Sequence, residues 1–238
     1  MSERDTSVVL VAGGAGERFG RAGGKQLALL AGRPVFAHSF AIADAVSRVG
    51  LVAVVCPPAR VEEYAAAVRQ NASRAEVRFV AGGERRQDSV AAGLAEIPEG
   101  YRYICVHDGA RPLATVAMFD QVLALLDADE TLAGAIVGHA SVDTLKSVQA
   151  NRVISTLDRS HIWAVQTPQA FRASALRLAY DYAAAQGWEG TDDASFVERA
   201  GGTIGLVEGT RDNIKITLAE DLPIAEAALD ARNVEVDR

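Results

Sequence analysis

Between Val8 and Gln26 the chain reads VVLVAGGAGERFGRAGGKQ. An apolar, β-branched run breaks into a segment that holds Gly13, Gly14, Gly16, Gly20, Gly23 and Gly24, with Arg18 and Lys25 embedded in it. Glycine lets the backbone turn through φ > 0 and come close to a ligand, so that its N–H groups can face phosphate oxygens. Arginine and lysine in the same loop add the charge that a triphosphate demands. A strand running into a glycine-rich basic loop is the pattern of a phosphate cradle.

Two familiar cradles do not fit. A P-loop needs Gly six positions before its Lys and Ser or Thr just after it, and those positions around Lys25 hold Phe19 and Gln26. A dinucleotide turn beginning Gly14-Ala15-Gly16 would need a third Gly where Phe19 stands.

Further polar groups follow apolar runs. Gly82-Gly83-Glu84-Arg85-Arg86-Gln87-Asp88-Ser89 is a second glycine-bearing cationic segment, and His107-Asp108-Gly109-Ala110-Arg111-Pro112 is a third. A carboxylate such as Asp108 at a strand end suits a divalent cation bridging phosphates, because Mg²⁺ takes one or two carboxylates and fills its shell with substrate oxygens. An N-cap or an ion pair with Arg111 would account for the same residue. Residues 209–217 carry Asp212 and Lys215, and on an extended piece Asn213, Lys215 and Thr217 would share a face. A solvated surface lysine is the competing reading of Lys215. Ser89 lies in no nucleophile elbow, and His107 beside Asp108 makes no triad, so acyl transfer is not indicated.

These groups need a scaffold. Strand-like runs at 8–12, 51–56, 77–81, 101–106 and 133–138 alternate with helix-like segments at 34–45, 60–70, 87–97 and 116–127. Such alternation predicts an α/β fold with a parallel sheet covered on both faces. In that architecture ligands sit beyond the carboxyl ends of the strands, where the three polar segments fall. The regular pattern stops near Ala140. Residues 143–148 and 152–156 around Gln149-Ala150-Asn151 predict a hairpin leaving the main body. An isolated hairpin is marginal in water, so a second copy of the chain is its expected support. The pattern resumes with a short piece at 165–166, helices at 174–186 and 193–200, a strand at 203–208, an extended piece at 213–217 and a closing helix at 219–231.

Composition sets the class. With 238 residues, 49% hydrophobic and 23% charged, one domain without linker or repeat is expected. A net charge of −7 argues against a general nucleic-acid surface. Apolar runs are strand-sized, so no membrane span is expected, and the polar start MSERDTS lacks the order of a secretory leader. A cytoplasmic location is the expectation. Cys56 and Cys105 sit in apolar runs and read as buried free thiols.

The segments AGGAGERF…GGKQ, GGERRQDSV, VHDGARP, DTLK, DRSHIWAVQTPQAF, TDDAS and EGTRDNIKIT resemble, in order, the motifs of the 2-C-methyl-D-erythritol 4-phosphate cytidylyltransferase family. The resemblance runs roughly from Val8 to Leu222. It implies a doubly wound, mostly parallel nucleotidyltransferase sheet with a hairpin arm at about 141–163. It further implies condensation of CTP with methylerythritol phosphate to a CDP-alcohol and pyrophosphate, with Mg²⁺, in a homodimer with interlocking arms. Arg18, Lys25, Arg159 and Lys215 match catalytic positions. Ala12, Gly13, Gly14, Ala15 and Gly16, with Gly83, Glu84, Arg85 and Ser89, match the nucleotide site, and Asp108 matches the metal carboxylate. Arg111, Thr144, Arg159, Thr167, Thr191 and Asp212 match positions around the acceptor, with Thr144 and Arg159 serving the neighbouring subunit.

The chain departs from the family pattern at Gly13 and Gly109, where Ala is usual, and at Glu84, where a shorter residue is common. A ribitol 5-phosphate cytidylyltransferase would share the fold and most motifs, and a nucleotide sensor without turnover is the alternative from another class. With little chain after Leu222, no fused second enzyme is expected.

Overall fold

The computed structural model describes residues 4–14, 19, 24–69 and 72–236, with side chains as far as residue 232. β1 (Thr6–Val11) precedes a short ribbon, β2 (Leu29–Leu30) and β3 (Arg33–Pro34), and then helix α1 (Val35–Ala45). β4 (Val49–Cys56), α2 (Val61–Arg69), β5 (Glu76–Ala81), α3 (Arg86–Ala95), β6 (Tyr103–Asp108), α4 (Val116–Ala128) and β7 (Leu132–Ala140) continue the alternation. A hairpin of β8 (Lys146–Gln149) and β9 (Arg152–Thr156) interrupts it. β10 (Trp163–Arg172), α5 (Ala173–Gln186), α6 (Asp193–Arg199), β11 (Thr203–Glu208) and α7 (Asp221–Val236) complete the chain.

Seven strands form one sheet in the order β11-β7-β10-β6-β1-β4-β5. Every pairing is parallel except those of β10, which runs antiparallel to both β6 and β7. The alternation of side chains along a strand explains why both faces are covered. In β1, Val8 and Leu10 enter one core with Phe36 and Phe40 of α1, Tyr64 of α2 and Phe119 of α4. Val9 and Val11 enter the other with Val90 and Leu94 of α3, Leu176 of α5 and Phe196 of α6. Caps set the helix limits. The Thr115 side chain accepts the Met118 N–H at the start of α4, Asp192 accepts the Ser195 N–H at the start of α6, and α5 stops at Gly187 with φ +62°.

Two expectations need correction. The piece expected at 165–166 is the middle of the ten-residue strand β10. Gln166, Thr167, Pro168 and Gln169 hide it, since a proline argues against a central strand. The ladder to β7 shifts register between Val165 and Gln169, so Pro168 lies where no N–H is needed. Residues 213–217 are not an extended strand with one shared face. Asn213 and Ile216 are buried, and the Ile216 N–H donates to the Ala110 carbonyl, so the segment is a loop pegged at two points.

Cys56 and Cys105 are buried free thiols, and burial pushes Cys56 up to about 11. Among the described residues no helix is long and apolar enough to cross a membrane.

Helix α3 lies so close to the sheet that a Cβ on Gly93 would stand 2.6 Å from Val9 Cγ1 and 2.9 Å from Val55 Cγ2. Gly93→Ala gains up to about 1 kcal/mol of helix propensity and costs about 1–3 kcal/mol in overpacking. Net destabilisation of up to about 2 kcal/mol is expected in urea unfolding.

Candidate active site

The chain places β4 and β5 on one side of β1 and then crosses back to lay β6 on the other. That reversal leaves a crevice at the carboxyl ends of β1 and β6, where open α/β sheets bind ligands. Asp108, the last residue of β6, pairs in register with Val11, the last residue of β1. The glycine-rich loop therefore leaves the sheet beside the carboxylate.

Asp108 Oδ2 accepts from Lys215 Nζ at 2.7 Å, Oδ1 accepts from Arg86 Nε at 3.2 Å, and Arg111 Nε stands 3.8 Å from Oδ2. The side chain is 9% exposed. Burial alone would raise its pKa, but the Arg86 and Lys215 cations outweigh that, with Arg111 adding to them, and hold it below the usual carboxylate range. Asp108 thus stays ionised at neutral pH. Its position is fixed through the backbone as well, because its N–H donates to Thr167 Oγ1 at 3.1 Å.

A cavity of about 130 Å³ is lined by Gly14, Lys25, Gly83, Glu84, Arg85, Ser89 and Asp108 among others. Ser89 Oγ accepts the Gly83 N–H at 3.2 Å and closes the 82–89 turn on itself. Gly83 is required there, since a Cβ would meet Asp88 Cβ at 2.5 Å. Arg85 caps α3 and is exposed, paired with Asp88 at 2.7 Å and Glu189 at 3.3 Å. Ala12 and Gly13 lie at the end of β1, where the Tyr64 hydroxyl donates to the Ala12 carbonyl. Ala15, Gly16 and Arg18 lie outside the described residues.

A second cavity of about 440 Å³ shares Arg86, Asp108 and Lys215 with the first. Arg111, Thr167 and Thr191 line it, together with Gln166, Gln169 and Asp192. Thr167 is held inward, bonded to His107 Nδ1 at 2.9 Å as well as to the Asp108 N–H. Arg111 Nη1 donates to the Asn213 carbonyl at 2.7 Å. Asn213 in turn donates through Nδ2 to Gln166 Oε1 and the Thr167 carbonyl, and so pegs the Lys215 loop onto β10. Asp212 is exposed and lines neither cavity. Thr144 and Arg159 are exposed on the arm and likewise line neither; the Arg159 guanidinium donates to the Val142 carbonyl.

Sequence reasoning left out residues that the structure puts in the site or against it, among them Arg86, Gln166 and Asn213. Arg86 was visible only as one of two adjacent arginines, and no spacing rule told which of them turns inward. Gln166 and Asn213 are amides in polar segments, and only the reversed direction of β10 brings them together.

The residues fit a Mg²⁺ ion. Asp108 offers a hard oxygen donor that is already ionised, and among the described residues no group of three His, Cys, Asp or Glu could hold a metal without help. Such a site completes its coordination with substrate phosphates.

A doubly wound sheet with a glycine-rich cationic loop and a cation-ringed carboxylate at its switch point is a nucleotidyltransferase-like α/β protein. The family model described as 2-C-methyl-D-erythritol 4-phosphate cytidylyltransferase matches residues 6–231, and the chain belongs to that family. It is similar to the 2-C-methyl-D-erythritol 4-phosphate cytidylyltransferases of Geotalea uraniireducens (38% identical, covering 96% of this chain and 98% of the relative) and Syntrophotalea carbinolica (41%, covering 94% and 95%). A crystal structure of the Thermus thermophilus enzyme of that name is 29% identical, with a TM-score of 0.75 over 93% of this chain and 98% of the other.

Burial lowers His107 to about 4, more than nearby Asp108 can offset, so it folds neutral. The unfolded chain binds that proton near its ordinary value of 6.5, so stability is lost as pH falls from about 6.5 toward about 4. The loss from this group is on the order of 3 kcal/mol at most. His107→Gln should flatten that limb in melting curves taken at pH 7 and pH 4.5.

Proposed function

We propose that this chain joins CTP to 2-C-methyl-D-erythritol 4-phosphate, releasing pyrophosphate and forming the CDP-alcohol, a step in isoprenoid precursor synthesis. The observation that carries this reading is Asp108, ringed by cations and lining both cavities. The smaller cavity, with Gly83, Glu84 and Ser89, suits the nucleotide, and the larger, with Arg111, Thr167 and Thr191, suits the polyol phosphate.

In the reaction an oxygen of the acceptor phosphate attacks the α-phosphorus of CTP. A new P–O bond forms to the acceptor as the bond to the bridging oxygen of the β-phosphate breaks, and pyrophosphate leaves with that electron pair. Both reactants are anions, so positioning and preorganised positive charge dominate the barrier. Lys25, with Arg18 from the same loop, takes the triphosphate, and Lys215 with Arg111 holds the incoming phosphate beside it. Asp108 is the residue to hold Mg²⁺, which when bound would neutralise phosphate charge.

The whole chain reads as one nucleotidyltransferase domain with a dimerisation arm. Val148, Val153, Ile154 and Leu157 are exposed on the arm, an apolar surface that a marginal two-stranded hairpin needs covered. A second copy of the chain would cover it and bring Thr144 and Arg159 toward the neighbouring acceptor site. A cytoplasmic enzyme agrees with this pathway role.

Pyrophosphate release with Mg²⁺ and CTP should require methylerythritol phosphate. Release with ribitol 5-phosphate alone would identify the other polyol cytidylyltransferase, and CTP binding without release would identify a sensor. Lys25→Ala should lower kcat on the order of 10²-fold. Arg159→Ala should chiefly raise the KM for the acceptor, and a selective rise in the CTP KM would refute its role. Ile154→Asp should shift the chain toward monomer in light scattering, while an unchanged dimer would remove the arm from the interface.

A further inference from the structure

Behind the carboxylate lies a chain of contacts that the reaction as described does not use. Arg86 Nη2 donates to Asp193 Oδ2 at 2.8 Å while its Nε donates to Asp108 Oδ1. Asp193 is wholly buried in the first turn of α6, and its Oδ1 accepts from the Tyr180 hydroxyl of α5 at 2.6 Å. One guanidinium, itself the first residue of α3, therefore ties α3, β6 and α6 together at the boundary of the two cavities.

The two oxygens of Asp108 are held differently. Oδ1 faces a planar arginine fork anchored at its far end by a buried carboxylate. Oδ2 faces a lysine on a loop, with a side chain 38% exposed, and only at a longer 3.8 Å the Nε of Arg111. An ammonium on a four-carbon stem can follow a phosphate, whereas a fork with both ends engaged cannot.

We propose that Arg86, anchored by Asp193, is a positioning residue that keeps Asp108 Oδ1 fixed, so that Oδ2 could take the cation of the reaction and release Lys215 to the phosphates. This rests on Asp108 being the carboxylate that faces the metal. Asp193 then acts on the chemistry from behind, without touching substrate.

The test compares Asp193→Asn and Arg86→Lys with Tyr180→Phe and the wild type. Two readouts are used: steady-state pyrophosphate release, and Mn²⁺ affinity by electron paramagnetic resonance with a CTP analogue that cannot be cleaved between its α- and β-phosphates. Asp193→Asn keeps the side-chain volume and removes the anchoring charge. It should lower kcat about 10-fold, raise the Mn²⁺ dissociation constant several-fold and leave the acceptor KM within about 3-fold. Arg86→Lys, which keeps the charge without the fork, should behave likewise, and Tyr180→Phe should stay within about 3-fold on every count.

A lower melting temperature with unchanged kcat per folded enzyme and unchanged Mn²⁺ affinity in Asp193→Asn would make the chain a packing feature and overturn the proposal. If Arg86→Lys fails to fold, Asp193→Asn decides alone. A wild type that binds Mn²⁺ and the analogue without turning over would refute the proposed reaction, and the Mn²⁺ arm would still decide the role of Arg86.

Discussion

Asp108 carries a negative charge into a place where water barely reaches. An ion so buried costs several kcal/mol of lost solvation unless neighbours replace the water. The replacements come from three separate segments: the start of α3, the turn after β6 and the loop that follows β11. Each segment is irregular or terminal, and each reaches the same carboxylate. The converse also holds, since cations this close would repel one another without the anion between them. The electrostatic demand of one strand-end residue therefore gathers the loops into a site.

The sheet makes that demand possible. β1 and β6 are central strands with a core on each face, and the packed side chains along them hold their ends in place. Around this frame the loops are secured by local devices: Ser89 closing its own turn, Asn213 pegged to β10, Thr167 turned onto the Asp108 N–H. Polar side chains that a motif would assign to substrate are here partly occupied in holding backbone. A residue such as Thr167 both lines the cavity and holds the strand end beside it.

The legible part of the sequence was periodic or punctuated. Buried runs such as Val8 to Val11 and Leu51 to Cys56 announce parallel strands, and glycine with arginine after such a run announces an anion site. The hairpin was legible from its β-branched residues and from the turn at Ala150-Asn151, both with positive φ. What stayed hidden depended on long-range register. β10 lines the larger cavity with Gln166, Thr167 and Gln169, and those residues spoil the apolar pattern by which a strand is recognised. Which of Arg85 and Arg86 turns inward is settled by where α3 begins, and helix ends are the least legible boundaries. The loop at 213–217 looked extended, yet its burial follows Asn213 and Ile216, three residues apart.

The reversed direction of β10 has a geometric consequence. Because it runs against its neighbours, its first residue, Trp163, pairs with Ala140, the last residue of β7, and the Ser141 N–H donates to the Ile162 carbonyl to close the junction. Residues 141–162 can thus make a round trip that begins and ends on the rim where Asp108 stands, without disturbing the sheet. An all-parallel sheet would return the chain to the opposite rim and hang any such excursion far from the chemistry. One antiparallel strand makes the root of the arm and the mouth of the site a common edge, so a change that reshapes one is felt at the other.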